Sequence, residues 1–376
     1  MRFGESIERA RIGRSSPGGV ELVFMRARLA CVLVASVICA AAVWAQQSAP
    51  PAETGAGGMH LDVVVTAKPG TTPIGDLEAQ DFTVLDNKIP QNITSFKAVT
   101  ARDAPIEVVL VIDAVNTNAV TVNSERVQID RFLRADEGNL AYPVALDVVN
   151  DKGIENAVNF SSDGNWISAA LHEEGVGIRD LGPAGGYWGA TERLQISLKA
   201  LSQIVERDGS LPGRKIVLWV SPGWPLLNEV NTGLNAAQRQ QLFESIVGIS
   251  TDLRRARITL YSIDPLGAGE STLRTSYYEN FLKGVSKPSQ VDPGDVGLQV
   301  IAVQSGGLAL NSGNDITMFL QECVADAAPY YEISFAAPAA QRPDEYHQVE
   351  IKIDKPGLSA RAREGYYAQP STVPGN

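Results

Sequence analysis

Val108-Val109-Leu110-Val111-Ile112 is an unbroken apolar run that stops at Asp113. A strand with one face in water alternates apolar and polar residues. A continuous run is therefore buried on both faces, as in a parallel sheet covered by helices. Ile216 to Val220 repeats the pattern and ends at Ser221, and Ile258 to Ile263 ends at Asp264. Helical spacing lies between the runs. Ser124 to Arg134 reads as one helix, and Asp163 caps another that carries Trp166, Ile167, Ala170 and Leu171 on one face. Leu194, Leu198, Leu201 and Val205 mark a third, starting at Thr191, and Ala236 to Arg255 a fourth. Helices at Val296 to Gln304 and Asp315 to Ala325 flank a short strand at Leu308 to Leu310. Tyr142 to Val149 and Ile154 to Phe160, joined by Asn150-Asp151-Lys152-Gly153, read as an antiparallel hairpin. The expected fold class is α/β, a doubly wound, mostly parallel, Rossmann-like sheet over residues 105–327.

The flanks are β-rich. Residues 60–104 hold strands at Leu61 to Thr66, Phe82 to Leu85 and Asn92 to Phe96. Residues 328–368 hold strands at Tyr330 to Phe335 and Gln348 to Ile353 and an alternating stretch from Leu358 to Glu364. Neither piece is large enough for a stable sheet by itself. The two are expected to pack into one accessory β domain, followed by a tail at 369–376.

The N-terminal segment reads as a targeting signal. Met25-Arg26-Ala27-Arg28 is basic, Leu29 to Val43 is apolar but short for a membrane span, and Val43-Trp44-Ala45 ends in a small residue. Residues 1–45 are thus an over-long start plus a signal peptide, and 46–59, rich in Pro, Ala and Gly, a flexible leader. The expected location is exported, periplasmic or secreted, with no stable membrane span after cleavage. Cys31 and Cys39 leave with the signal, and Cys323 alone remains, so no internal disulfide forms. The formal net charge of −11 becomes more negative on cleavage, because residues 1–45 hold six Arg and three Glu. With no basic cluster to offset it, nucleic acid is disfavoured as a partner.

Ligands of such sheets sit outside the carboxyl ends of the strands. The residues there are Asp113-Ala114-Val115-Asn116-Thr117, Ser221-Pro222-Gly223-Trp224 and Asp264-Pro265-Leu266-Gly267. An Asp closing the first strand, within this order of strands and helices, resembles the von Willebrand factor A fold. In that family an Asp-x-Ser-x-Ser loop, a Thr and a second Asp hold a divalent ion. The resemblance implies a metal set of Asp113, Thr117 and Thr191 (or another residue of the Gly-rich loop), with Val115 in place of the first Ser and Pro222 in place of the second acid. Such a degenerate set is expected to bind Mg²⁺ or Ca²⁺ weakly or not at all, and no other cofactor is implied. The segments PIEVVLVIDAVNT, GRKIVLWVSPGWP, ITLYSIDPLG and REGYYA, with LDVVVTAKPG near the start, are similar to the VWFA-related proteins abundant in Acidobacteria. That resemblance spans roughly residues 60–368 and implies an exported protein without established enzymatic activity.

Enzyme motifs are missing. There is no Gly-Lys-Ser/Thr loop, no third Gly after Gly175-Val176-Gly177, no second His four residues after His172 and no Gly-x-Ser-x-Gly elbow. Binding candidates at the rim are Asn116, Tyr187, Trp188, Ser221 and Trp224, serving an envelope protein or peptide partner. Two alternatives stand beside this reading: an exported enzyme using the same rim, and a structural module whose rim is inert. In the latter, Asp113 accepts bonds from neighbouring loop amides and Trp224 packs on a turn. If the signal is cleaved as read, mass spectrometry of the exported protein finds Gln46 at the N-terminus; a mature protein beginning at Met1 removes the argument for export.

Overall fold

A computed structural model describes residues 58–68, 77–100, 105–173, 186–225, 234–267 and 277–370. The signal and most of the leader lie outside them, as do the Pro69-Gly70 turn and most of the Gly-rich segment at 175–189.

The three apolar runs become β5 (Ile106–Asp113), β8 (Arg214–Val220) and β9 (Ile258–Ile263). With β6 (Asn139–Asn150), β7 (Gly153–Asp163) and β10 (Ala309–Leu310) they form one six-stranded sheet of order β10-β9-β8-β5-β6-β7. Only the edge pair β6–β7 is antiparallel. Among the described residues six helices cover it: α1 (Ala119–Leu133), α2 (Gly164–Glu173), α3 (Gly186–Asp208), α4 (Ala236–Arg255), α5 (Leu298–Gln304) and α6 (Ile316–Ala325).

Strand alternation divides the core in two. Val108, Leu110 and Ile112 pack with Val122 and Ile129 of α1, Ile167 of α2 and Phe319 of α6. Val109 and Val111 pack with Leu201 of α3, Phe243 of α4 and Leu298 of α5 on the opposite face. The unbroken apolar runs follow from this, since each strand serves a core on both sides. No helix among the described residues is long and apolar enough to cross a membrane.

Local signals correct several expected boundaries. α1 starts at Ala119 rather than Ser124, because Asn118 caps it by accepting a hydrogen bond from Thr121 N. α3 starts at Gly186 rather than Thr191, so Tyr187 and Trp188 lie in a helical turn and not in a loop; their side chains are outside the described residues. Asp163 does cap α2, accepting from Trp166 N at 3.0 Å. Trp166 itself is 52% exposed, whereas Ile167 and Leu171 are buried, so it falls off the apolar face.

The flanking segments form two antiparallel sheets of four strands rather than one. β1 (Gly58–Ala67) lies between β11 (Tyr330–Ala336) and β13 (Leu358–Arg361), and β4 (Ile93–Val99) pairs with β11. β2 (Phe82–Asp86) lies between β3 (Ile89–Gln91) and β12 (Glu345–Ile353), and β14 (Gly365–Ala368) adds to β12. Each sheet combines strands from both chain ends; they alternate in the first, and in the second the pair β12–β2 joins the two ends. The two sheets share one core, in which Leu61, Val63, Phe82, Val84, Ile333 and Phe335 are buried.

Polar pairs tie these sheets to the helical part. Arg257, just past α4, donates to Asp62 of β1 at 2.6 Å and to Glu332 of β11 at 2.7 Å. Burial opposes ionisation of Asp62, but the His60 hydrogen bond and the Arg257 charge outweigh it and hold the carboxyl well below the usual range. Arg361 of β13 pairs with Asp326 just past α6.

Candidate functional site

Asp113 ends β5 with its side chain fully buried. Its Oδ1 accepts from the backbone N–H of Val115 and of Asn116, both at 3.0 Å. Its Oδ2 accepts from the Asn116 side-chain amide at 2.8 Å and from the Trp219 indole at 3.0 Å. A carboxylate offers about four lone-pair sites, and four protein donors fill them. Asn116 also donates to Ser197 Oγ of α3 at 2.9 Å, and Ser197 in turn donates to the Arg193 carbonyl.

Thr117 lies half-buried in the turn after Asp113. Thr191 sits in the second turn of α3, six residues before Ser197. At about 1.5 Å and 100° per residue it is about 9 Å along the axis and a third of a turn away. Ser197 of α3 reaches the Asp113 group through Asn116. Val115 is buried and carries no oxygen on its side chain.

The second rim loop is also turned inward. Ser221 is fully buried, and its Oγ accepts from Gly223 N at 3.2 Å, closing a tight turn. Gly223 has φ +110°, a conformation that favours glycine, and a Cβ there would displace the Gln299 amide, whose Nε2 would stand 2.7 Å away. Trp224 is 1% exposed and meets Trp219 edge to face at 5.3 Å. Named as a binding candidate, with packing on a turn as the alternative, it is a core residue that backs the indole bonded to Asp113. Gln299 closes the group by accepting from Tyr277 OH at 2.9 Å.

Glu125 of α1 stands behind the rim, fully buried, with neither carboxylate oxygen hydrogen-bonded. Burial first, and then the charges of Asp113 and Asp264, raise its pKa well above the usual range.

Trp219, Ser197 and Glu125 escape the sequence reading, although each leaves a trace. A Trp in a strand buried on both faces needs an acceptor for its indole N–H. Glu125 occupies the apolar stripe of α1, three residues after Val122 and four before Ile129.

Three other polar clusters contain histidine. Ser168 Oγ and His172 Nε2 both reach Asp130 Oδ1, the histidine at 3.0 Å, and Arg134 Nε contacts the same oxygen at 2.9 Å. The aspartate stands between serine and histidine, so the hydroxyl proton is directed to the acid and not to the imidazole. Nucleophilic catalysis needs the opposite order. His347 is buried, with Nδ1 at 2.8 Å from Asp86 Oδ1, and Tyr366 OH donates to Asp86 Oδ2 at 2.6 Å. This cluster fastens β2, β12 and β14. His60, Asp62 and Glu332 bring three potential metal ligands together, but the Arg257 guanidinium already bonds both acids.

No family model and no curated protein matches the sequence. Solved structures with partial likeness include proximal thread matrix protein 1 from the mussel byssus, at 13% identity and TM-score 0.35 over 61% of this chain; the chain spans 49% of that protein. BatB from Bacteroides thetaiotaomicron aligns at 11% identity and TM-score 0.32, covering 59% of this chain and 98% of its own. The SpRpn10 VWA domain aligns at 11% identity and TM-score 0.27, covering 58% and 96%. Scores this low carry no argument about function, and the architecture above rests on its own strand pairings.

The Asp113 group has a measurable signature. Asp113→Ala leaves the Trp219 and Asn116 donors buried without an acceptor and is expected to cost about 3–5 kcal/mol. Trp219→Phe is also expected to destabilise, through the lost donor and the altered packing. Urea denaturation of the double variant should show less than the sum of the two losses, because the single variants remove one shared bond. Simple additivity would show that the indole–carboxylate bond is unimportant.

Proposed function

We propose that this chain is an exported protein-interaction module of the bacterial envelope, built on a von Willebrand factor A-like unit whose rim works without a metal ion. Support for export comes from the basic, apolar and small-residue succession ending at Ala45. Support for the A-like unit comes from the sheet order, the helices on both faces and Asp113 at the end of β5.

The observation that carries the metal-free reading is the state of Asp113, whose carboxylate is saturated by four protein donors. A hard divalent cation needs about six oxygens and carboxylate charge. Binding here would break at least one buried hydrogen bond before any ligand bond formed. Partner recognition then rests on apolar and hydrogen-bonding side chains. Among the described residues, four of the five large apolar residues that are strongly exposed lie on α1, α2 and α6: Val120, Val127, Trp166 and Met318. Val120, at the start of α1, is 80% exposed and adjoins the rim loop. Scattered exposed apolar residues are ordinary, but a concentration on one helical layer favours a protein partner.

Calorimetric titration of the exported protein with Mg²⁺, Mn²⁺ and Ca²⁺ should show no binding tighter than millimolar. A partner captured from the envelope fraction should be retained in EDTA and lost with Val120→Glu. Micromolar metal binding that disappears in Asp113→Ala, or capture that EDTA abolishes, would restore a metal-bridged mechanism.

A further inference from the structure

The amino end of the six-stranded sheet contains a cavity that the rim does not involve. β6 begins at Asn139, but its ladder with β5 begins only where Val144 meets Val108. Its pairing with β7 jumps from Asn139 to Val144. Residues 140–143 thus form an irregular start to β6, ahead of its ladder with β5. The space left is about 310 Å³, at the lower end of the range for pockets that hold small organic ligands. Phe132, Leu140 and Val324 are among its apolar walls, and Tyr142, Asn139 and Gln321 supply polar atoms.

The turn that feeds this strand is strained. Asp136 and Glu137 have φ +48° and +61°, and Gly138 follows at +87°. Consecutive non-glycine residues in the left-handed region persist only when surrounding bonds impose them. Asn139 Nδ2 donates to the Asp136 carbonyl at 2.9 Å, and Asn165 Nδ2 donates to the Glu137 carbonyl at 2.7 Å. A Cβ at Gly138 would collide with that same Asn165 amide at 2.2 Å. The result is that Asp136 stands on the cavity wall. Among the described residues it is the single charged one lining the cavity, and it is exposed.

We propose that this cavity binds a small apolar amine, its aromatic or aliphatic body on the Phe132, Leu140 and Val324 walls and its ammonium group at Asp136. The shape sets the size, and the lone negative charge sets the sign. Fatty acids, phosphates and other anionic amphiphiles meet no cation on the wall. Tyr142, whose pKa burial raises despite the nearby Arg214 charge, keeps its hydroxyl proton and offers a neutral hydrogen bond beside the amine.

Methyl NMR of the full chain tests this with three probes of one body: tryptamine, the neutral indole-3-propionamide and the anionic indole-3-acetate. Tryptamine should shift the methyl signals of Leu140, Val144 and Val324, and indole-3-acetate should not. Asp136→Asn, which tolerates the left-handed turn, should weaken tryptamine about fivefold and leave the amide unchanged. Ala325→Leu, with its fold checked by thermal melting, should fill the space and abolish binding of both. Equal binding of amine and acid, tryptamine affinity unmoved by Asp136→Asn, or no probe shifting those methyls would each overturn the proposal.

Discussion

Removing a carboxylate from water costs several kcal/mol unless protein donors replace the lost hydration. Asp113 makes that exchange in full, and the carboxyl end of the sheet is arranged around it. Two donors come from the turn after β5, which sets the direction in which the chain leaves the strand. One comes from Asn116, which also binds α3, and one from Trp219 of the neighbouring strand. Because Trp219 is backed by Trp224, the loop after β8 is drawn onto the same centre. An indole and an amide donate to the carboxylate at the position where the sequence resemblance implies an ion.

The ends of the chain depend on a second kind of constraint. Neither β segment can close a sheet alone, and each sheet joins strands from both ends of the chain. This long-range pairing is anchored to the helical part by Arg257 and Arg361, each set against acids from a distant stretch of chain. The acids and guanidinium groups are partly buried, so they gain more from pairing than surface ions do, and losing one partner would strand the other.

Much of the central fold is legible in the sequence, for a physical reason. Strands buried on both faces must be apolar throughout, so β5, β8 and β9 announce themselves, and the helices between them carry their stripes. What escapes is set by single polar bonds. Asn118 starts α1 a full turn early through one side-chain bond. Trp219 reads as one more apolar residue in its strand until its parallel register, Val111 opposite Trp219, brings it near Asp113. Trp224 and Ser221 look like exposed rim residues because they follow a strand; the turn at Gly223 folds them in instead. The division of the accessory strands into two sheets is likewise invisible in local pattern, since it depends on which distant strands meet.

The central claim is that the Trp219 indole and the Asp113 carboxylate form a closed, metal-free bond in the folded protein. The most direct test is the indole N–H resonance of Trp219 in a ¹⁵N-labelled sample, followed by hydrogen exchange and by addition of millimolar Mg²⁺ or Ca²⁺. The account predicts a single resonance that exchanges only on global unfolding and does not move with either ion. Rapid exchange in the native state, or a metal-dependent shift of that resonance, would contradict it.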